Sequence, residues 1–145
     1  MKKRLLVLIL LCLPFWVMSQ KLRWVNDHTY LANEKGEIVQ YTLPERTRTV
    51  VLGKNDFPSA VRNFSVSTDR SKILIFTNSK KVWRLDTRGE YWVFDTSTKK
   101  SKKLGSGLPA SSLMFGKFSP DNSKVAYVSE YNVYVEDLAT DKITN

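Results

Sequence analysis

The pair best equipped for chemistry in this sequence is Trp83-Arg84, inside the stretch SKKVWRLDTRGEYWVFD (79–95). A guanidinium is permanently charged and presents a rigid fork of N–H donors. In a poorly hydrated cavity it makes a strong charge-assisted hydrogen bond to a carbonyl or carboxylate oxygen. The ordinary alternative is a surface arginine, paired with the nearby Asp86 or merely solvated, which contributes little. Residue types alone leave both readings open.

The remaining polar groups do not assemble a catalytic set. His28 is the single histidine. It lies in the polar stretch Asn26-Asp27-His28-Thr29, and a catalytic base needs a nucleophile within hydrogen-bond reach and an orienting acid. It therefore reads as a turn residue. Gly105-Ser106-Gly107 lacks the spacing and the strand–turn–helix setting of a nucleophile elbow. No Cys, His or carboxylate cluster has metal-ligand spacing, and no glycine-rich phosphate loop occurs. Within these residues no catalytic group, metal site or cofactor is expected.

The first twenty residues, MKKRLLVLILLCLPFWVMSQ, have the layout of an export signal. Lys2, Lys3 and Arg4 precede an apolar run from Leu5 to Val17, and Val17-Met18-Ser19 suits a signal peptidase. The run is shorter than the roughly 20 residues of a membrane span, which disfavours a retained anchor. Residues 1–19 are thus expected to be a signal peptide cleaved near Ser19-Gln20. The mature chain would be exported, to the periplasm or the cell surface. Leu11 before Cys12 does not fit a lipidation site, and beyond Cys12 the sequence has no cysteine. With no disulfide framework, packing must supply the stability.

The formal net charge is +9, or +6 without Lys2, Lys3 and Arg4. Much of the excess sits in Lys99, Lys100, Lys102 and Lys103. A nucleic-acid surface interleaves basic residues with stacking aromatics on one face. Here the lysines form a block in a Ser/Thr-rich connection, read as a solvated loop. No nucleic-acid partner is expected.

The elements that must position Arg84 are short strands. Ile73-Leu74-Ile75-Phe76, Tyr91-Trp92-Val93-Phe94, Val125-Ala126-Tyr127-Val128 and Val133-Tyr134-Val135 are β-branched and aromatic runs bounded by Asn, Asp, Ser, Gly or Lys. They repeat. Ser67-Thr68-Asp69-Arg70-Ser71-Lys72 and Ser119-Pro120-Asp121-Asn122-Ser123-Lys124 share the pattern S-x-D-x-S-K before a strand, 52 residues apart. The stretch from Trp24 to Thr29 is a fainter copy. The aspartate has a local reason: its carboxylate accepts a backbone N–H two residues on and fixes a tight turn.

A period of roughly 40–50 residues holding about four short strands is that of a β-propeller blade. A β-sandwich also has short strands, but it does not call for a recurring turn sequence. The expected fold is all-β, with two to three antiparallel blades of an incomplete propeller over residues 20–145. About four blades are needed to close a propeller, so the sequence reads as the N-terminal part of a longer chain.

With the repeat in place, Lys80-Lys81-Val82-Trp83-Arg84 and the hairpin into Tyr91-Trp92-Val93-Phe94-Asp95 resemble the dipeptidyl peptidase IV family. That family comprises serine exopeptidases of the prolyl oligopeptidase clan. The blade openers from Phe64 to Asp69 and from Phe118 to Val128 resemble it at the same spacing, as does Asn132-Val133-Tyr134-Val135. The resemblance implies an N-terminal propeller that limits access to a C-terminal α/β-hydrolase domain, and release of N-terminal X-Pro or X-Ala dipeptides. It also implies peptide substrates as partners, and allows a homodimer of the full-length enzyme. By the Trp-Arg motif it makes Arg84 a substrate-binding residue that donates to a substrate carbonyl. Leu85 and Asp86 depart from the polar, uncharged residues of several members. The family's glutamate pair and Ser-Asp-His triad have no counterpart in these residues, so the chain alone is expected to be inactive. The competing reading is a non-enzymatic propeller that serves as a binding scaffold.

Overall fold

The computed structural model describes residues 22–145; the expected signal peptide lies outside them. Twelve strands form three four-stranded antiparallel meanders, each pairing its strands in chain order. The first sheet holds β1 (Arg23–Asn26), β2 (Thr29–Glu34), β3 (Glu37–Thr42) and β4 (Thr47–Leu52). The second holds β5 (Asn63–Val66), β6 (Lys72–Val82), β7 (Leu85–Asp95) and β8 (Ser101–Lys103). The third holds β9 (Met114–Phe118), β10 (Lys124–Ser129), β11 (Asn132–Asp137) and β12 (Ile143–Thr144). These are three blades of an incomplete β-propeller, and the stretch from Trp24, read as the faintest repeat, forms a full sheet.

The middle blade is buried on both faces, which explains its unbroken apolar run. Successive side chains of a strand point to opposite faces. Ile73, Ile75 and Phe94 accordingly pack with Leu31, Ile38, Leu52 and Phe57 of the first blade and its connection. Leu74 and Val93 pack with Leu113, Val125 and Tyr127 toward the third. Each fully buried side chain of this kind contributes about 1.5–3 kcal/mol, so both faces are needed to hold the stack.

The repeated turns behave as their sequence requires. Asp69 accepts the Ser71 N–H at 3.1 Å and the Ser67 and Ser71 hydroxyls at 2.7 Å each. Asp121 accepts the Ser123 N–H at 3.1 Å, with the Ser119 hydroxyl at 2.5 Å and the Ser123 hydroxyl at 2.8 Å. In the first blade Asn26 takes the same role, accepting the His28 N–H at 2.9 Å. Asp95 and Asp137 close the later turns, accepting the backbone N–H groups of Thr98 at 2.8 Å and Thr140 at 2.9 Å.

The lysine block differs from the solvated loop expected. Lys99 and Lys100 lie in the turn, but Lys102 and Lys103 belong to β8. Lys102 pairs with Asp141 and lies 3.7 Å from Glu136, both in the third blade. Lys103 pairs with Glu90 at 2.8 Å. Half the block therefore ties strands and blades together: Lys102 reaches from β8 to the third blade, and Lys103 reaches Glu90 on the neighbouring strand β7.

Candidate substrate-binding arm

Trp83-Arg84 sits at the end of the longest hairpin of the described residues. β6 and β7 have 11 residues each, whereas the matching strands β2, β3, β10 and β11 have six. Residues 78–89 stand where the other blades make a two-residue turn, Lys35-Gly36 or Glu130-Tyr131. The charged segment is therefore itself strand: Lys80 pairs with Arg88, Lys81 with Asp86 and Val82 with Leu85. Only Trp83 and Arg84 form the turn. Trp83 takes a left-handed backbone, φ 58°, and is 93% exposed. Such a tight reversal is what a two-residue hairpin demands.

The base of this arm is clamped from both sides. Asn78, itself at φ 43°, donates its N–H to the Ser59 hydroxyl at 2.7 Å and its amide to the Ser111 hydroxyl at 2.9 Å. Ser59 belongs to the connection from the first blade and Ser111 to the connection into the third. Gly89 and Leu113 exchange both backbone hydrogen bonds, at 3.0 and 3.1 Å. The β6–β7 register breaks at this clamp, between Thr77 and Lys80, and again just above it, between Lys80 and Lys81. Bulges of this kind bend a hairpin and re-aim its tip.

Arg84 is exposed, and Asp86, its candidate partner by sequence, is paired with Arg62 instead. The guanidinium fork is thus left to solvent or to a ligand. Lys80, Lys81 and Arg88 are exposed along the same arm, so the arm carries a positive field suited to carbonyl or carboxylate oxygens.

Between the arm and β9 lies a cleft of about 260 Å³ lined by Arg62, Phe76, Asp86, Thr87, Tyr91 and Phe115. Phe76 and Tyr91 form its floor, their rings 4.9 Å apart and tilted by 38°. Burial pushes the Tyr91 phenol above its ordinary pKa, offset in part by the Gly116 and Phe115 N–H groups. Phe115 is 61% exposed on a left-handed backbone, φ 58°.

The other candidates fall outside this site. His28 is an exposed turn residue whose carbonyl accepts the Leu43 N–H at 2.7 Å. Gly105-Ser106-Gly107 lies in the connection from β8 to β9, with Gly105 and Gly107 at φ 73° and 82°. Gly105 donates its N–H to Glu136 at 2.8 Å. Asn78, Arg62 and Phe115 are candidate-site residues that sequence reasoning missed. The signal for the arm was present: the S-x-D-x-S-K turns lie 52 residues apart, but the closing Asp95 and Asp137 lie only 42 apart.

Three stacked four-stranded meanders with a long hairpin arm define part of a β-propeller. The profile described as "Dipeptidyl peptidase IV (DPP IV) N-terminal region" matches residues 67–145. The chain belongs to that family. Dipeptidyl peptidase 4 of Felis catus is 29% identical over 126 residues, covering 85% of this chain and 16% of that protein. Dipeptidyl aminopeptidase B of Saccharomyces cerevisiae is 26% identical over 136 residues, covering 84% and 16%. Among solved structures, Porphyromonas gingivalis dipeptidyl peptidase 4 superposes with a TM-score of 0.71 at 22% identity, covering 87% of this chain and 19% of that one. TolB from Acinetobacter baumannii superposes with a TM-score of 0.55 at 16% identity, covering 81% and 29%. The last two likenesses concern the fold. The chain spans between 8% and 16% of the length of the similar curated proteins.

Proposed function

We propose that this chain is the N-terminal propeller portion of an exported serine exopeptidase that releases N-terminal dipeptides with proline or alanine second. In that reading the propeller gates access to a C-terminal α/β-hydrolase domain and helps to hold the substrate's first residues. Arg84 donates to a substrate carbonyl. The chemistry of bond cleavage belongs to the hydrolase domain; the propeller contributes binding and orientation, which lower the barrier by fixing the scissile bond in place.

The observation that carries this reading is the arm itself. A permanently charged fork stands at the tip of a hairpin extension that the other two blades lack, its base is clamped from two neighbouring connections, and the nearest carboxylate in sequence is engaged by Arg62. Membership of the dipeptidyl peptidase IV family supports the peptide substrate.

The test is hydrolysis by the full-length protein of Gly-Pro, Gly-Ala and Gly-Leu amides, each with a free or an acetylated amino terminus. Turnover of the free Gly-Pro and Gly-Ala amides, with loss on acetylation, is the expected result. Tight peptide binding without turnover would replace the enzyme by a binding scaffold.

A further inference from the structure

We propose that Arg62 and Asp86 are positioning residues whose ion pair braces the arm and so sets where Arg84 sits. The inference rests on the substrate-binding reading of Arg84. The clamp at Asn78 and Gly89 holds only the base of the arm, at the first of the two register breaks. Beyond the breaks, among the described residues, the pair between Arg62 and Asp86 is the one side-chain tie from the arm to the body of the propeller.

Its geometry suits the task. Asp86 stands opposite Lys81 and two residues after Arg84, so fixing its carboxylate fixes the outer ladder. Arg62 is anchored in turn, because its N–H donates to the Phe76 carbonyl at 2.9 Å. The brace therefore spans the cleft beneath the arm, from the lead-in to β5 to the start of β7. Without it, the arm can tilt about the bulges into or away from that open space.

A planar, bidentate-capable guanidinium is better than an ammonium for holding one carboxylate in one geometry. The pair is half exposed, with side-chain exposures of 56% and 35%, so its effect on global stability is small. Its effect on the direction of a hinged tip is not limited in the same way, since a 1 Å misplacement can cost far more in rate than in stability.

The experiment uses the full-length protein with four variants: Arg62→Ala, Asp86→Ala, the charge-swapped Arg62→Asp/Asp86→Arg, and Arg84→Ala. Two quantities are read: kcat/KM on a Gly-Pro amide, and millisecond hydrogen exchange of the arm amides 80–88. Each single alanine variant should speed arm exchange, leave exchange in β10 and β11 unchanged, and lower kcat/KM about two- to fivefold. The swap should restore both. Unchanged arm exchange in the single variants would overturn the brace. Faster exchange with wild-type kcat/KM, while Arg84→Ala is impaired, would overturn its role in positioning. Wild-type kinetics for Arg84→Ala would instead remove the substrate-binding reading, and the inference with it.

Discussion

Gly89 and Leu113 form an isolated antiparallel bridge, exchanging hydrogen bonds of 3.0 and 3.1 Å between β7 and the lead-in to β9. With the bond from the Asn78 amide to the Ser111 hydroxyl, this bridge joins the base of the arm to the connection into the third blade. It demands a residue without a side chain: a Cβ on Gly89 would lie 2.5 Å from Phe76 Cε2 and 2.6 Å from the Thr77 carbonyl oxygen. The obstruction is partly backbone, which cannot rotate away.

Gly89→Ala is accordingly expected to destabilise the protein by about 1–3 kcal/mol through overpacking. The check is thermal unfolding beside Gly107→Ala. That position is left-handed, φ 82°, which Gly89 is not, and it has nothing within 4 Å of a new Cβ. A larger loss of Tm at Gly107 than at Gly89 would show that the left-handed backbone at Gly107 outweighs the crowding at Gly89, against the overpacking argument.

Acid should loosen the turns before the strands. Hydrogen bonds from Ser67 and Ser71 hold Asp69 at a pKa of about 2. Hydrogen bonds from Ser97 and Thr98 hold Asp95 at about 2. Ser119 and Ser123 push Asp121 down in the same way. Folded pKa values below the unfolded value of about 3.9 mean stability that is complete above that value and lost as pH falls toward 2. The melting temperature should therefore drop between about pH 4 and pH 2, and Asp69→Asn/Asp121→Asn should flatten that drop. An unaltered slope in the double variant would remove these two aspartates from the account.

Glu136 is the buried joint between the second and third blades. Its carboxylate accepts the Tyr127 hydroxyl at 2.9 Å and the Gly105 N–H at 2.8 Å, with Lys102 at 3.7 Å. Burial first, then the bond to Glu136, raises the Tyr127 phenol. Glu136→Ala leaves that hydroxyl and N–H without their acceptor, at a cost of about 1–3 kcal/mol for each group left unsatisfied. Glu136→Gln keeps an acceptor and should lose less. The readout is urea unfolding, and equal midpoints for the two variants would contradict the hydrogen-bond argument.

Much of this fold was legible because its grammar is local. Asp69 and Asp121 announce turns through their own backbone bonds, and the runs at Ile73 and Val125 can only be strands. The arm was harder, because its outer strands are written in Lys, Arg, Asp and Thr, which carry no apolar period. Pairing between Lys80 and Arg88 comes from the ladder, not from burial. Asp86 was read as a candidate partner of Arg84 on proximity in sequence. A hairpin turn points neighbouring side chains apart and gave Asp86 to Arg62, 24 residues away. Phe115 was invisible for a similar reason: nothing in its type signals exposure or a left-handed backbone.

The central claim is that Arg84 meets the substrate, and kcat/KM on a Gly-Pro amide for full-length Arg84→Ala, Arg84→Lys and Arg88→Ala tests it most directly. Loss of one charge-assisted bond, about 1.5–3 kcal/mol, predicts a fall of about tenfold to more than a hundredfold for Arg84→Ala. Arg84→Lys should recover little, since a point charge does not reproduce the fork. Arg88→Ala, on the exposed ladder opposite Lys80, should stay near wild type. All three should melt with the parent, because these side chains lie on the surface. Wild-type kinetics for Arg84→Ala, or a loss matched by a fall in Tm, would contradict the account.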